Sequence, residues 1–271
     1  MFLNFAKVNP NGNMTILVLD PVAREKQSGI AERLMACDGV HAEQVGFLEK
    51  PTLSDAQARL QMMGGEFCGN ATLSMAAWLA HTRELPVGAR ESYALEVSGA
   101  QGVLDCDMER ISSCRFQGSV PMPLPEEVFE AEILSGTMAP LVRFPGIVHA
   151  ILPEGCMDNA RAQTMIPDLC ARLDADAMGF LFVDDDFNRI RPLVYVRKTA
   201  SCVWESGCGS GTAALGAWRA AILGGEADLN VRQPSGSGIG VRARWEAGRV
   251  TELAIRGEAR IVATGEAWMD D

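Results

Sequence analysis

The chain is poor in several of the groups that enzymes commonly use. Its 271 residues include three histidines, His41, His81 and His149, and two tyrosines. None of the eight cysteines stands in a C-x-x-C pair, so no cluster has the ligand spacing of a structural zinc site and no metal is expected. Basic residues are also short: 24 Lys and Arg against 35 Asp and Glu leave a formal charge of -11. That charge repels phosphate backbones and anionic membrane surfaces, which argues against nucleic acid as a partner. No apolar run approaches the roughly 20 residues of a membrane span. The opening MFLNFAKVNPNGNMT lacks a charged segment followed by a long apolar stretch, so a soluble, cytoplasmic protein is expected. Scattered through a large chain with no signal peptide, the cysteines read as free thiols rather than a disulfide framework.

A hydrophobic content of 48% in a chain of this length is enough for one large or two medium domains. An internal repeat favours two. CGNATLSMAAW, from Cys68 to Trp78, lies without a gap over CGSGTAALGAW, from Cys208 to Trp218, with Cys, Gly, Thr, Ala and Trp coinciding. Upstream, Gly46, Phe47 and Leu48 match Gly179, Phe180 and Leu181, and Pro10, Ile16 and Leu17 match Pro145, Ile151 and Leu152. A repeat of about 135 residues is far too long for a solenoid unit and is the size of a domain. The junction is expected near PMPLPEE, Pro121 to Glu127, where prolines stiffen an exposed connection. The expected domains are 1–122 and 123–261, with a tail from about 262 to 271 that packs back on the first.

Short runs such as MTILVLD, YALEVSG, PLVYVR and TELAIRG, separated by Gly, Asn, Ser and Pro, read as strands. The stretches 71–80 and 212–223 are instead continuous small and apolar residues of good helix propensity, and a helix apolar on nearly all sides is a buried one. Each half therefore reads as strands around a central helix, an α+β fold, with a cysteine just before the helix begins.

That position is chemically loaded. Unpaired N–H groups and the helix dipole favour negative charge at a helix start and lower a thiol's pKa there. Gly69 and Asn70 in one half, and Gly209 and Ser210 in the other, let the backbone approach a ligand and aim its N–H groups at an anion such as a substrate carboxylate. Removing an α-proton from an amino acid spreads charge into that carboxylate, where such donors stabilise the transition state without a pyridoxal cofactor. With one cysteine as thiolate and the other as thiol on opposite sides of the α-carbon, configuration inverts. A single such motif is as readily a structural cap beside a buried cysteine. Two corresponding copies are harder to explain as packing, which has no need of sulfur twice.

At these residues the chain resembles the diaminopimelate epimerase superfamily, through GGEFCGNAT and SGCGSGT. The resemblance is strongest to the cofactor-independent histidine racemases that supply D-histidine for opine-type metallophores, through NPNGNMTILV, EQVGF, EFCGNAT, VWESGCGSGT, QPSG and VATGEA. It implies two pseudo-symmetric β-barrel-like domains, each wrapped around a central helix with the active site between them, no cofactor, and a homodimer. It makes Cys68 and Cys208 the two acid/base residues and Asn13 a substrate contact. Glu205 falls on the glutamate that precedes the second cysteine, and His149 on a histidine near the site; either is alternatively an ordinary structural residue. Glu43, just before a strand that the repeat places beside the site, is either an acceptor for an imidazole N–H or a solvated strand-end carboxylate. The chain departs from diaminopimelate epimerases in running Glu205, Ser206, Gly207 and Cys208 together and in having Ile147 where that family has asparagine. Diaminopimelate is therefore a less apt substrate. Proline or hydroxyproline epimerisation is a further alternative, and the PhzF-like relatives lack the cysteine pair. From other classes, a cysteine hydrolase has few histidines to serve as its base, and an amino-acid-binding protein has no use for both thiols.

Overall fold

The computed structural model describes residues 2–134 and 136–269. The chain divides into two compact units, one formed by residues up to Pro121 together with those from Arg256 on, the other by Met122–Ile255. Asp270 and Asp271, the end of the expected tail, lie outside the described residues.

The first unit begins with a hairpin written into NPNGNMT. Strands β1 (Phe2–Pro10) and β2 (Thr15–Val18) are joined by a turn whose central residues, Asn11 and Gly12, have φ of 53° and 93°. Positive φ at both positions defines the turn that suits a twisted hairpin, and Asn-Gly is its favoured pair. The unit continues with α1 (Arg24–Met35), β3 (Gln44–Glu49), β4 (Ala58–Met62), α2 (Gly69–Thr82), β5 (Arg90–Val97), β6 (Val103–Arg110) and β7 (Arg115–Pro121). These seven strands lie side by side in chain order. The C-terminal part of a long last strand, Arg249–Trp268, stands beside β7 and also pairs antiparallel with β1, closing the sheet on itself. Helix α2 touches all of β1 to β7, which is why its residues from Gly69 to Ala77 are buried without a polar stripe. On the outer side, Ile30, Ala31 and Leu34 of α1 pack on Ile16, Val18, Val45 and Phe47. Strand β2 is covered on both faces, hence its unbroken apolar run TILV.

The second unit repeats the pattern. It contains β8 (Glu127–Leu134), β9 (Thr137–Phe144), β10 (Ile147–Pro153), α3 (Asn159–Arg172), β11 (Ala177–Val183), β12 (Ile190–Val196) and β13 (Ser201–Trp204), then α4 (Gly209–Leu223), β14 (Glu226–Arg232) and β15 (Gly238–Glu246). The long last strand, β16, belongs to this unit up to Ile255. Helix α4 packs on β14 and β15 and on β8, β9 and β10, and ends at Gly224 in the left-handed region, φ 63°. The fold is thus mixed α+β and dominated by sheet.

The sequence predicts one helix per half, whereas each unit has two among the described residues. Strands β2 and β3 are parallel, as are β10 and β11. A parallel pair needs a crossover, and α1 and α3 supply it. The repeat also needs a correction of register. Leu17 pairs with Gly46, while Gly179, the counterpart of Gly46, pairs with His149. The position matching Leu17 is therefore His149, not Leu152.

Candidate active site

Each central helix is capped by its cysteine. Cys68 and Cys208 are extended N-cap residues, with φ of -136° and -115°. Their sulfurs accept the N–H of Ala71 at 3.4 Å and of Gly211 at 3.2 Å, the place a Ser or Asp oxygen takes at an ordinary N-cap. The hydroxyls of Thr72 and Thr212 donate to the two cysteine carbonyls, at 2.8 and 2.7 Å. These bonds explain why threonine recurs four residues after the cysteine in both copies of the repeat. Gly69 and Gly209 open the helices, and both are buried.

In the first unit the Cys68 thiol donates to Gln44 Oε1 at 2.9 Å. Gln44 Nε2 donates in turn to Asn13 Oδ1 at 2.6 Å and to Thr15 Oγ1 at 2.7 Å. Asn13 Nδ2 donates to Glu43 Oε2 at 3.0 Å. Three residues singled out in the sequence, Cys68, Asn13 and Glu43, are thus joined through one that was not. Gln44 sits inside the quoted EQVGF run, but only the strand register reveals which sulfur it faces. Burial raises the Glu43 carboxyl, while the Met14 N–H and the Asn13 amide hold it down. Asn70 is buried, and its Oδ1 accepts from Asn11 Nδ2 at 3.3 Å. Asn11 is a further residue the sequence reading used only as part of a motif.

In the second unit Cys208 is 2% exposed. The helix start was expected to lower its pKa, yet its thiol lies well above the ordinary value. Burial is the main cause, and the charge of Glu205 and a hydrogen bond to it push the same way; Ser210 and the Gly211 N–H oppose them without prevailing. Glu205 therefore lies beside the thiol, as its place in the sequence suggested. Ser210 Oγ stands 3.6 Å from Cys208 Sγ and 3.1 Å from His149 Nε2. His149 is fully buried, so its route to the sulfur runs through Ser210. Burial lowers its imidazole to about 3, and Nδ1 has no hydrogen-bond partner among the described residues. The tautomer with the proton on Nε2 costs less, because it leaves a bare acceptor rather than a buried N–H unpaired. Gly179 makes room for this ring: a Cβ there would lie 2.1 Å from His149 Nδ1.

None of the eight cysteines is joined in a disulfide. Among the described residues no group of three or more His, Cys, Asp and Glu is placed to hold a metal ion, and no helix is long and apolar enough to cross a membrane.

Solved structures share this fold. A probable proline racemase from Agrobacterium radiobacter K84 matches with a TM-score of 0.69 at 15% identity, covering 99% of this chain and 93% of that one. A phenazine biosynthesis protein of the PhzF family from Bacillus anthracis matches with a TM-score of 0.68 at 14% identity, covering 99% and 100%. At such identities the likeness establishes the fold, one shared by proline racemases and PhzF-family proteins. The sequence comparisons are narrower. The family model described as the histidine racemase CntK N-terminal domain matches residues 2–268. A histidine racemase of Staphylococcus aureus strain Mu50 is 31% identical over 282 residues, covering 99% of this chain and 98% of that protein. The chain belongs to the histidine racemase family and is an isomerase of the amino-acid racemase class.

Proposed function

We propose that this enzyme is a cofactor-independent histidine racemase in which Cys68 and Cys208 work as the two acid/base groups. A thiolate on one face takes the α-proton, and the C–H electron pair moves into the carboxylate. The thiol on the other face then gives its proton to the carbon. The enantiomer leaves with the two sulfurs' protonation exchanged, so the next turnover runs in reverse unless solvent resets them. The observation that carries this reading is the matched pair of sulfur-capped, buried helices, each cysteine followed by glycine and tied into a polar network.

The remaining roles follow from chemistry. Backbone N–H groups at Gly69 and Asn70 and at Gly209 and Ser210 receive the substrate carboxylate and the charge that develops on it. Asn13 and Asn70 contact the substrate, and Glu43 accepts an N–H from its imidazole. Glu205 takes up and returns the Cys208 proton. Histidine is favoured over diaminopimelate because apolar Ile147 stands where a diaminopimelate site needs an amide. On the resemblance, D-histidine made here supplies opine-type metallophore assembly, and the protein works as a homodimer in the reducing cytoplasm, which keeps its thiols free.

Proton NMR in D2O tests this directly, with reduced enzyme given L-histidine, diaminopimelate, proline and other amino acids in parallel. Loss of the α-hydrogen signal for histidine is expected. Exchange only on another amino acid would move the substrate, and no exchange on any would leave an amino-acid-binding protein.

A further inference from the structure

The Cys208 backbone is held on both sides by a pair of residues outside the assigned site. Gln233 is 2% exposed, yet its amide is fully engaged. Its Oε1 accepts the Cys208 N–H at 3.0 Å, and its Nε2 donates to Thr212 Oγ1 and to the Val231 carbonyl, each at 3.0 Å. Thr212 passes the arrangement on by donating to the Cys208 carbonyl. A tight turn delivers the side chain: Gly236 N–H donates to the Gln233 carbonyl at 2.9 Å, and Gln233 N–H to the Ser237 carbonyl at 2.8 Å. The same turn grips the cysteine loop a second time, where Ser235 N–H donates to the Ser206 carbonyl at 2.9 Å.

We infer that Gln233 is a positioning residue for proton transfer, holding Cys208 in its extended N-cap conformation so that the sulfur stays aimed. This rests on the reading of Cys208 as an acid/base thiol. The two halves differ here. Thr72 holds the Cys68 carbonyl as Thr212 holds that of Cys208, but the first unit's glutamine, Gln44, holds the sulfur itself. The second unit's glutamine holds the backbone and leaves the sulfur to Gly211, Ser210 and Glu205. Without Gln233 the buried Cys208 N–H has lost its acceptor, and the residue relaxes toward a new one. A reacting atom displaced by about 1 Å loses on the order of a hundredfold in rate. Gln233 bonds to none of the groups assigned to substrate binding, so the loss falls on kcat more than on KM.

The test compares Gln233→Met, of similar size without hydrogen bonds, with Gln233→Glu, whose carboxyl still accepts the Cys208 N–H. Each is followed by thermal melting and by kcat and KM for histidine. Both are expected to lose kcat with KM within about twofold, Met by about tenfold or more and Glu by less. If the Met variant does not fold, a Glu variant with lowered kcat and unchanged KM carries the same result. The inference is overturned if either folded variant keeps wild-type kcat, or if the loss lies in KM alone. A wild-type protein that racemises nothing removes the racemase reading and this inference with it, whereas an active wild type beside undiminished variants removes the inference only.

Discussion

A thiol capping a buried helix is stabilised as an anion by the helix N–H groups and destabilised by the loss of water. At Cys208 the second effect prevails, and Glu205 adds to it. In the proposed cycle Cys208 therefore rests as the thiol, the proton donor. The sequence singled out both cysteines because the repeat doubled them. It did not reveal Gln44 or Gln233, because an amide's role depends on what the register sets opposite it. His149 shows the same limit, since it stands where the first half has Leu17. Its place in the core leads to a prediction. The buried imidazole has a pKa of about 3, below its ordinary 6.5, so the folded protein keeps it neutral while the unfolded chain protonates it. The stability it permits is fully present above about pH 6.5 and is lost as pH falls toward 3, by up to about 1.4 kcal/mol per unit. Melting temperatures from pH 7 to 5 are expected to fall more steeply for wild type than for His149→Gln. Parallel slopes would mean that His149 does not govern acid sensitivity.

At the scale of elements, the central helices were legible and the crossover helices were not. Unbroken small and apolar runs mark α2 and α4 as buried cylinders. Helix α1 has Ala23 at its N-cap, whose side chain makes no capping bond, so no start signal announces it. Helix α3 has its cap, Asp158 accepting from the Arg161 N–H at 2.8 Å, but carries Pro167 in its interior. Proline there removes a helical hydrogen bond and reads in the sequence as a break. Pro167→Ala is expected to restore that bond toward Gln163 and stabilise the protein. The gain, about 1–2 kcal/mol, is smaller than the full helix penalty because alanine also loosens the unfolded chain. A urea midpoint that rises with unchanged slope would bear this out, and a midpoint that falls would show that the packing of α3 depends on the proline ring.

At the scale of the molecule, the repeat announced two related halves. A tail from about residue 262 is expected to return to the first half; that the return is a strand pairing between β1 and residues 259–268 leaves no trace in spacing. A net charge of -11 opposes self-association, so a homodimer needs an interface that keeps carboxylates apart. Light scattering at moderate salt is expected to give twice the chain mass of 29.1 kDa, and a mass of one chain would refute the dimer. The central claim is two-thiol chemistry, and the most direct measurement is histidine racemisation by Cys68→Ser and Cys208→Ser, each shown by its melt to be folded. A hydroxyl is too weak an acid to replace either sulfur, so each variant is expected to fall by about 10²–10⁴-fold. Near wild-type turnover from either would contradict the account.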